Sequence, residues 1–207
     1  MIELLAPAGN EECFFAAINN GADAVYLGLN SFSARKNAGN FTSDNIRYYV
    51  SYAHAVGVKV YVALNTLIKD SELEDFIAAA KTAYEAGADA LIVQDVFSGK
   101  ILKGVLPDCE LHLSTQAGVN NLAGVKIAEE YGFSRVILAR ETEEREIKSI
   151  AENIDTEIFV HGALCSSFSG HCYMSSFIGG NSGNRGLCKQ PCRKKYVIET
   201  KTGEGKY

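Results

Sequence analysis

Short apolar, β-branched runs alternate along this chain with longer stretches in which apolar residues recur every three or four positions. The short runs predict seven strands, Glu3–Leu5, Ala24–Leu27, Lys59–Leu64, Ala90–Val93, Glu110–Leu113, Arg135–Leu138 and Glu157–Val160. The longer stretches predict helices over Glu11–Asn19, Asp44–Ala55, Glu72–Glu85, Leu122–Tyr131 and Glu143–Ala151. Thr42 and Ser43 are candidate caps for the second helix, and Ser71 with Glu74 reads as a capping box for the third.

Repetition strengthens this pattern. NNGADAVYLGL at 19–29 returns as EAGADALIVQD at 85–95 and more loosely as EYGFSRVILAR at 130–140. Each copy ends a helix on glycine and enters a buried strand. Strands apolar on both faces, alternating with helices, imply an α/β protein with a parallel sheet under helices. A (β/α) TIM-type barrel fits better than an open doubly wound sheet, because seven units recur without a dinucleotide-binding fingerprint. After Val160 the pattern stops. A Gly-, Ser- and Cys-rich segment leads to YVIETKTGEGKY, which reads as a strand, a turn and the start of a second strand. The expected organisation is therefore barrel units one to seven over residues 1–160 and a Cys-rich, basic cofactor segment over 161–207. The eighth strand is expected beyond Tyr207, in a longer protein.

Composition narrows the class. With 207 residues, 47% of them hydrophobic and 22% charged, the chain can bury a large core, which excludes disordered and fibrous roles. The N-terminus MIELLAPAGNEE lacks the basic and apolar regions of a signal peptide, and no apolar run is long enough to span a membrane. A cytoplasmic protein without membrane partners is expected, in which clustered cysteines point to metal or redox chemistry rather than disulfides.

Four of the six cysteines, Cys165, Cys172, Cys188 and Cys192, fall in one window with the spacing C-x6-C-x15-C-x3-C. Soft thiolates at this density suit an iron–sulfur cluster or zinc, although the paired short knuckles of a zinc ribbon are lacking. The window follows a strand's C-terminal end, the face on which barrel enzymes carry their active sites. Cys13 and Cys109 are isolated and read as small buried hydrophobes. His54 and His112 read as structural.

Charge singles out the same window. Residues 161–195 hold Arg185, Lys189, Arg193, Lys194 and Lys195 and no acid, a charge of +5 in a chain of net charge −5. A local site for a polyanion on an otherwise acidic protein has this form. Phe168, Tyr173, Phe177 and Tyr196 are candidate stacking faces for unpaired bases, and Gly179, Gly180, Gly183 and Gly186 let the backbone wrap closely around a cofactor. Polar residues follow the other strands where a barrel mouth would lie: Asn30, Ser31 and Arg35, then Asn65 and Thr66, Gln94 and Asp95, Ser114, Thr115 and Gln116, Arg140 and Glu141, and His161. Neither a G-x-S-x-G elbow nor an H-E-x-x-H helix is present.

The stretch EIFVHGALCSSFSGHCYMSSFIGGNSGNRGLCKQPCRKKY at 157–196 resembles the signature of the U32 family of collagenase-like peptidases. LLAPAGN, AVYLGLNSFSARKNAGNF, LSTQAGVNN and LARE resemble it too, so the likeness covers essentially the whole chain. The resemblance implies one of two chemistries. Some members are described as endopeptidases acting on collagen, and others are hydroxylation factors for transfer RNA, ribosomal RNA or ubiquinone precursors. In the latter, a [4Fe-4S] cluster is held by cysteines matching Cys165, Cys172 and Cys188, with a fourth ligand downstream or at Cys192. His171 and Asn181 stand where the family often has arginine.

The leading expectation is a cluster-dependent enzyme that hydroxylates a pyrimidine in transfer RNA. Cys165, Cys172, Cys188 and Cys192 would hold the cluster, with zinc as the alternative. Arg185, Lys189, Arg193 and Lys194 would contact RNA, and Arg35, Gln116 and His161 would line the catalytic mouth. A collagenase-like endopeptidase and a non-catalytic, cluster-bearing partner subunit working with a larger homologue are the other two readings.

Overall fold

The computed structural model describes residues 2–34, 39, 41–162, 164–200 and 203–206, with 198–200 and 203–206 as backbone. Seven strands form one parallel sheet in sequence order: β1 (Leu5–Pro7), β2 (Ala24–Gly28), β3 (Lys59–Leu64), β4 (Ala90–Val93), β5 (Leu111–Leu113), β6 (Arg135–Ile137) and β7 (Asp155–Glu157). Helices α1 (Glu11–Asn19), α2 (Ile46–Ala55), α3 (Leu73–Glu85), α4 (Val96–Val105), α5 (Leu122–Glu130) and α6 (Glu144–Ala151) fill the crossovers. Each strand neighbours the next in sequence, the order of a (β/α) barrel rather than of a doubly wound sheet, whose order reverses. The edges are β1 and β7, and among the described residues no eighth strand joins them. A short helix α7 (Met174–Gly179) and an antiparallel pair, β8 (Val197–Thr200) with β9 (Gly203–Lys206), follow.

Two buried clusters explain why the strands are apolar on both faces. Val25, Leu27, Val60, Val62, Leu91, Val93, Leu113 and Val136 point outward and pack under Phe14, Ile46, Phe76, Leu102, Val125 and Ile150 of the helices. The alternate residues Ala24, Tyr61, Ala63, Ala90, Ile92 and Ile137 form a second, inner cluster. Burying each large side chain of the outer layer contributes about 1.5–3 kcal/mol, and truncating one such as Phe76 to alanine costs about 3–5 kcal/mol.

Local chemistry sets most helix starts. Asn10, Asp95 and Asn121 cap α1, α4 and α5 by accepting from backbone N–H groups two or three residues on. The start of α2 differs from the sequence reading: Ile46 is the first helical residue, and Thr42 exchanges hydrogen bonds with Asn45 instead of capping. Before α3, Glu72 rather than Glu74 reaches back, accepting from Lys69 N–H at 2.9 Å across the 3-10 turn Asp70–Glu72. Helix α4 escaped the periodicity because Gly99 and Gly104 dilute its apolar face. Gly99 is there for close packing, since a Cβ would come within 2.6 Å of the Phe133 ring.

Strand ends shifted as well. β1 runs two residues later than predicted, and β7 starts two residues earlier and ends three earlier, leaving Val160 81% exposed. Cys13 is exposed, which corrects its reading as a buried hydrophobe, while Cys109 is buried and its thiol is pushed up to about 11 by burial. His112 is buried, and burial lowers it to about 3, with Arg135 acting in the same direction. No helix among the described residues is long and apolar enough to cross a membrane.

The N-terminal end of the sheet carries a charged hub beside a hollow of about 290 Å³ lined by Lys59, Tyr61, His112, Arg135 and Asp155, among others. Glu3 accepts from Lys59 Nζ at 2.9 Å, Tyr61 Oη at 2.7 Å and Arg135 Nη1 at 2.7 Å, and Arg135 Nε donates to Asp155 at 2.7 Å. Residues of β3, β6 and β7 and one just before β1 therefore meet around the Glu3–Arg135 pair. Burial opposes the ionised Glu3, but the three donors prevail and hold its carboxyl down at about 2.

Candidate active site at the barrel mouth

At the opposite end, the loops after β5 and β6 build a polar rim. Ser114 Oγ accepts from Gln116 N–H at 3.2 Å, starting the 3-10 turn Thr115–Ala117. Thr115 Oγ1 donates to the Leu138 carbonyl at 2.9 Å, and Ala139 N–H to the Val119 carbonyl at 2.8 Å, which locks the two loops together. Gln94, 5% exposed, donates from Nε2 to the Gln116 carbonyl at 3.3 Å, and its Oε1 is buried without a partner among the described residues.

The cysteine-bearing segment crosses this rim and rests on it at two places. At the first, buried Ser169 donates its N–H to Glu141 Oε1 at 2.9 Å, while Arg140 donates to Ser169 Oγ and to the Ser167 carbonyl, both at 3.4 Å. Gly170, with φ of +73°, lies so close to the Gln116 carbonyl that a Cβ would be 1.9 Å from its oxygen. At the second, Leu67 N–H donates to the Asn184 carbonyl at 3.0 Å, and Arg185 forks onto both carboxylate oxygens of Glu72 while also donating to the Leu67 carbonyl at 2.9 Å. Gly186 presses on the loop after β2, where a Cβ would come 2.2 Å from the Ser33 carbonyl oxygen. Hydrogen bonds from Arg185 and from Lys69 N–H hold Glu72 down at about 2.

The four cysteines of the segment are free thiols; Cys165, Cys188 and Cys192 are exposed and Cys172 is partly covered. Cys172 and Cys188 approach one another across Gly183, and a side-chain bond links the stretches that carry Cys165 and Cys192. Gly183 stands between Cys172 and Cys188, its Cβ position 3.9 Å from the Cys172 carbonyl oxygen and 3.8 Å from Cys188 Cβ. Arg193, next to Cys192, donates to the carbonyl of Leu164, next to Cys165, at 2.9 Å. Gln190 N–H donates to Cys188 Sγ at 3.3 Å, the kind of bond that tunes a ligating sulfur. These soft donors fit a cluster or zinc in kind, but among the described residues no three His, Cys, Asp or Glu side chains are gathered as a ligand set.

Several predicted mouth residues prove to be structural. Asp95 is spent on capping α4, Ser114 and Thr115 on bracing the rim, and Arg140 and Glu141 on holding the segment. Asn30 and Ser31 line a separate hollow of about 160 Å³ with Thr42, Ser43, Ala79 and Thr82, beside α3. Gln116 is half-buried at the mouth and His161 is exposed; no hydrogen bond joins them. Arg35 lies outside the described residues. Arg185 is placed as a clasp on Glu72, whereas Lys189, Arg193, Lys194 and Lys195 are exposed and have no acidic partner among the described residues. The Glu72 clasp was invisible in the sequence because its partners are 113 residues apart.

The pattern that defines Peptidase family U32 matches residues 9–207. A 23S rRNA 5-hydroxycytidine synthase of Escherichia coli is 42% identical over 204 residues, 98% of this chain and 31% of that protein. A tRNA hydroxylation protein of Bacillus subtilis is 41% identical over 95% of this chain and 47% of its own length, and a collagenase of Porphyromonas gingivalis is 33% identical over 96% and 51%. The chain thus spans a third to a half of these relatives. The solved structure of a U32 peptidase superposes with a TM-score of 0.62 at 14% identity, covering 76% of this chain and 67% of that one, a likeness of fold. A seven-strand TIM-like sheet, a cysteine segment strapped across its mouth and this match over nearly the full length lead to one conclusion: the chain belongs to Peptidase family U32.

Proposed function

We propose that this chain is the barrel part of an iron–sulfur-dependent enzyme that hydroxylates a pyrimidine in RNA, most plainly in transfer RNA. The observation that carries the reading is the acid-free segment 161–195, which bears four cysteines and is docked across the C-terminal mouth of the barrel. The names of the Escherichia coli and Bacillus subtilis relatives supply the reaction and the substrate class. Cys165, Cys172, Cys188 and Cys192 would hold a [4Fe-4S] cluster, with zinc as the alternative; the cluster would supply electron-transfer or Lewis-acid chemistry. The chain's own residues would bind and orient. Lys189, Arg193 and Lys194 meet phosphate, Gln116 and His161 stand at the mouth, and Arg185 positions the segment instead of touching RNA. A cytoplasmic setting follows from an RNA substrate.

The collagenase name favours a second reading, peptide hydrolysis at the same mouth. A thiol or serine mechanism needs a nucleophile hydrogen-bonded to a base, and among the described residues no histidine bonds to a serine or cysteine side chain. One experiment separates the readings. Protein purified without oxygen is analysed for visible charge-transfer absorbance, iron, sulfide and zinc, and RNA from a deletion strain is profiled for lost hydroxypyrimidine. Stoichiometric iron and sulfide with a lost modification support the proposal. Colourless protein that cleaves gelatin, with RNA unchanged, overturns it, and co-purification of a larger homologue that alone carries activity would make this chain a partner subunit.

A further inference from the structure

Only two described residues other than glycine take a left-handed backbone, Phe32 with φ of +58° and Gln190 with φ of +51°. Phe32 has a packing reason, since its ring meets Phe76 edge-on at 5.4 Å. Gln190 has none: its side chain is exposed and caps nothing. It also precedes Pro191, and a proline pushes the residue before it towards extended backbone. A conformation that costs free energy and gains no side-chain contact persists only where its surroundings impose it, and such residues cluster at functional sites.

Hydrogen bonds on both sides of Gln190 impose it. Lys189 N–H donates to Ser175 Oγ at 3.1 Å and Gln190 N–H to Cys188 Sγ at 3.3 Å, which fixes the chain entering the turn. Arg193 N–H donates to the Gln190 carbonyl at 3.0 Å and Tyr196 Oη to the Pro191 carbonyl at 2.9 Å, which fixes the chain leaving it, with Pro191 buried. The left-handed residue joins these halves. With extended backbone at Gln190, either Pro191 would leave its buried place or the N–H bonds to Ser175 and Cys188 would break. The turn thus sets Cys188 and Cys192, the latter in the 3-10 turn Pro191–Arg193, in one fixed arrangement. Among the described residues, Cys188 is the cysteine whose sulfur accepts a backbone N–H. A thiol is a weak acceptor and a charged sulfur a stronger one, so an N–H held there against backbone strain suits a thiolate that ligates.

We propose that Gln190 is a positioning residue for the cysteine centre: its left-handed backbone holds Cys188 as a ligand, and its N–H, donated to Sγ, biases the bound cluster towards the reduced state. The inference rests on the cluster reading above and adds which residue sets the potential of the centre. One-electron reduction adds a negative charge that the ligating sulfurs share, and an N–H aimed at one of them favours that state. The Gln190 side chain takes no part.

The test uses the full chain and its variants, purified without oxygen and titrated with dithionite at controlled potential, with absorbance and electron spin resonance followed and iron and sulfide counted. Gln190→Gly and Gln190→Asn, which enter the left-handed region readily, keep the wild-type potential and iron content. Gln190→Val, whose branched side chain is excluded from that region, releases the N–H. Its reduction equilibrium falls by roughly 10-fold, about 59 mV for a one-electron couple, or its iron is lost while Gln190→Gly retains it. Thermal unfolding of the barrel is alike in all the variants. A Gln190→Val variant with the wild-type potential and iron content overturns the inference while the cluster reading stands, and so does a Gln190→Gly variant shifted as far as Gln190→Val. Wild-type protein that holds zinc and no iron sinks the cluster reading and the inference with it.

Discussion

Replacing Gly170 by alanine tests whether the cysteine segment is held to the barrel by close backbone contact. Two effects add. Alanine in the left-handed region costs about 1–2 kcal/mol wherever it occurs. At Gly170 the new Cβ would also sit 1.9 Å from the Gln116 carbonyl oxygen, and since that oxygen is backbone, the segment must lift. Lifting breaks the Ser169 bond to the Glu141 carboxylate and the two longer Arg140 bonds, about 2–4 kcal/mol together. Gly180, with φ of +67° and open space around its Cβ position, is the control that carries only the backbone cost. Gly170→Ala is therefore expected to raise cleavage within 161–186 by roughly 30- to 1000-fold over Gly180→Ala, because proteolysis follows the open population. Thermal unfolding of the barrel should be alike in the two, since its core lies elsewhere. Equal cleavage of the two variants would refute docking through the Gly170–Gln116 contact.

Three further outcomes are expected. Glu157, pushed up to about 7 chiefly by burial, keeps a proton in the folded state that the unfolded chain releases near 4.5, so its contribution to stability falls as pH rises between those values. Glu157→Gln removes the charge at constant shape and should gain up to about 3 kcal/mol over wild type near pH 8 and nothing near pH 4, measured by urea unfolding; a pH-independent difference would contradict it. Arg185→Ala and Glu72→Ala should each loosen the segment to proteases, with the double variant no worse than either, and strictly additive losses would deny the clasp. Serine at Cys165, Cys172 or Cys188 should abolish iron binding while serine at Cys13 or Cys109 preserves it, by iron and sulfide analysis; retention in the first set would remove those thiols as ligands.

Much of the architecture was written locally. Strand and helix periods, the glycine that ends each repeat, and apolar residues on both faces of the strands fix a parallel α/β fold, because each depends on neighbours within a few residues. The cysteine window and its charge were equally legible, being matters of composition along one stretch. Helix α4 was missed because its glycines serve a contact with Phe133, 34 positions away from Gly99, which no local pattern records.

What the sequence by itself determined, then, is the order of the strands, the barrel-like sheet and the cysteine-rich, basic composition of the segment that follows it. Only the tertiary structure decided which polar groups are free to act. It spent Asp95 on a cap, Arg140 and Glu141 on Ser167 and Ser169, Arg185 on Glu72 and one Arg193 nitrogen on the Leu164 carbonyl, and it left Lys189, Lys194, Tyr173 and Phe177 in the open. The reason is physical: a charge or hydroxyl is available only if nothing nearer satisfies it, and what lies nearest is set by long-range packing. The hub of Glu3 with Arg135, 132 residues apart in sequence and 2.7 Å apart in space, is the plainest instance.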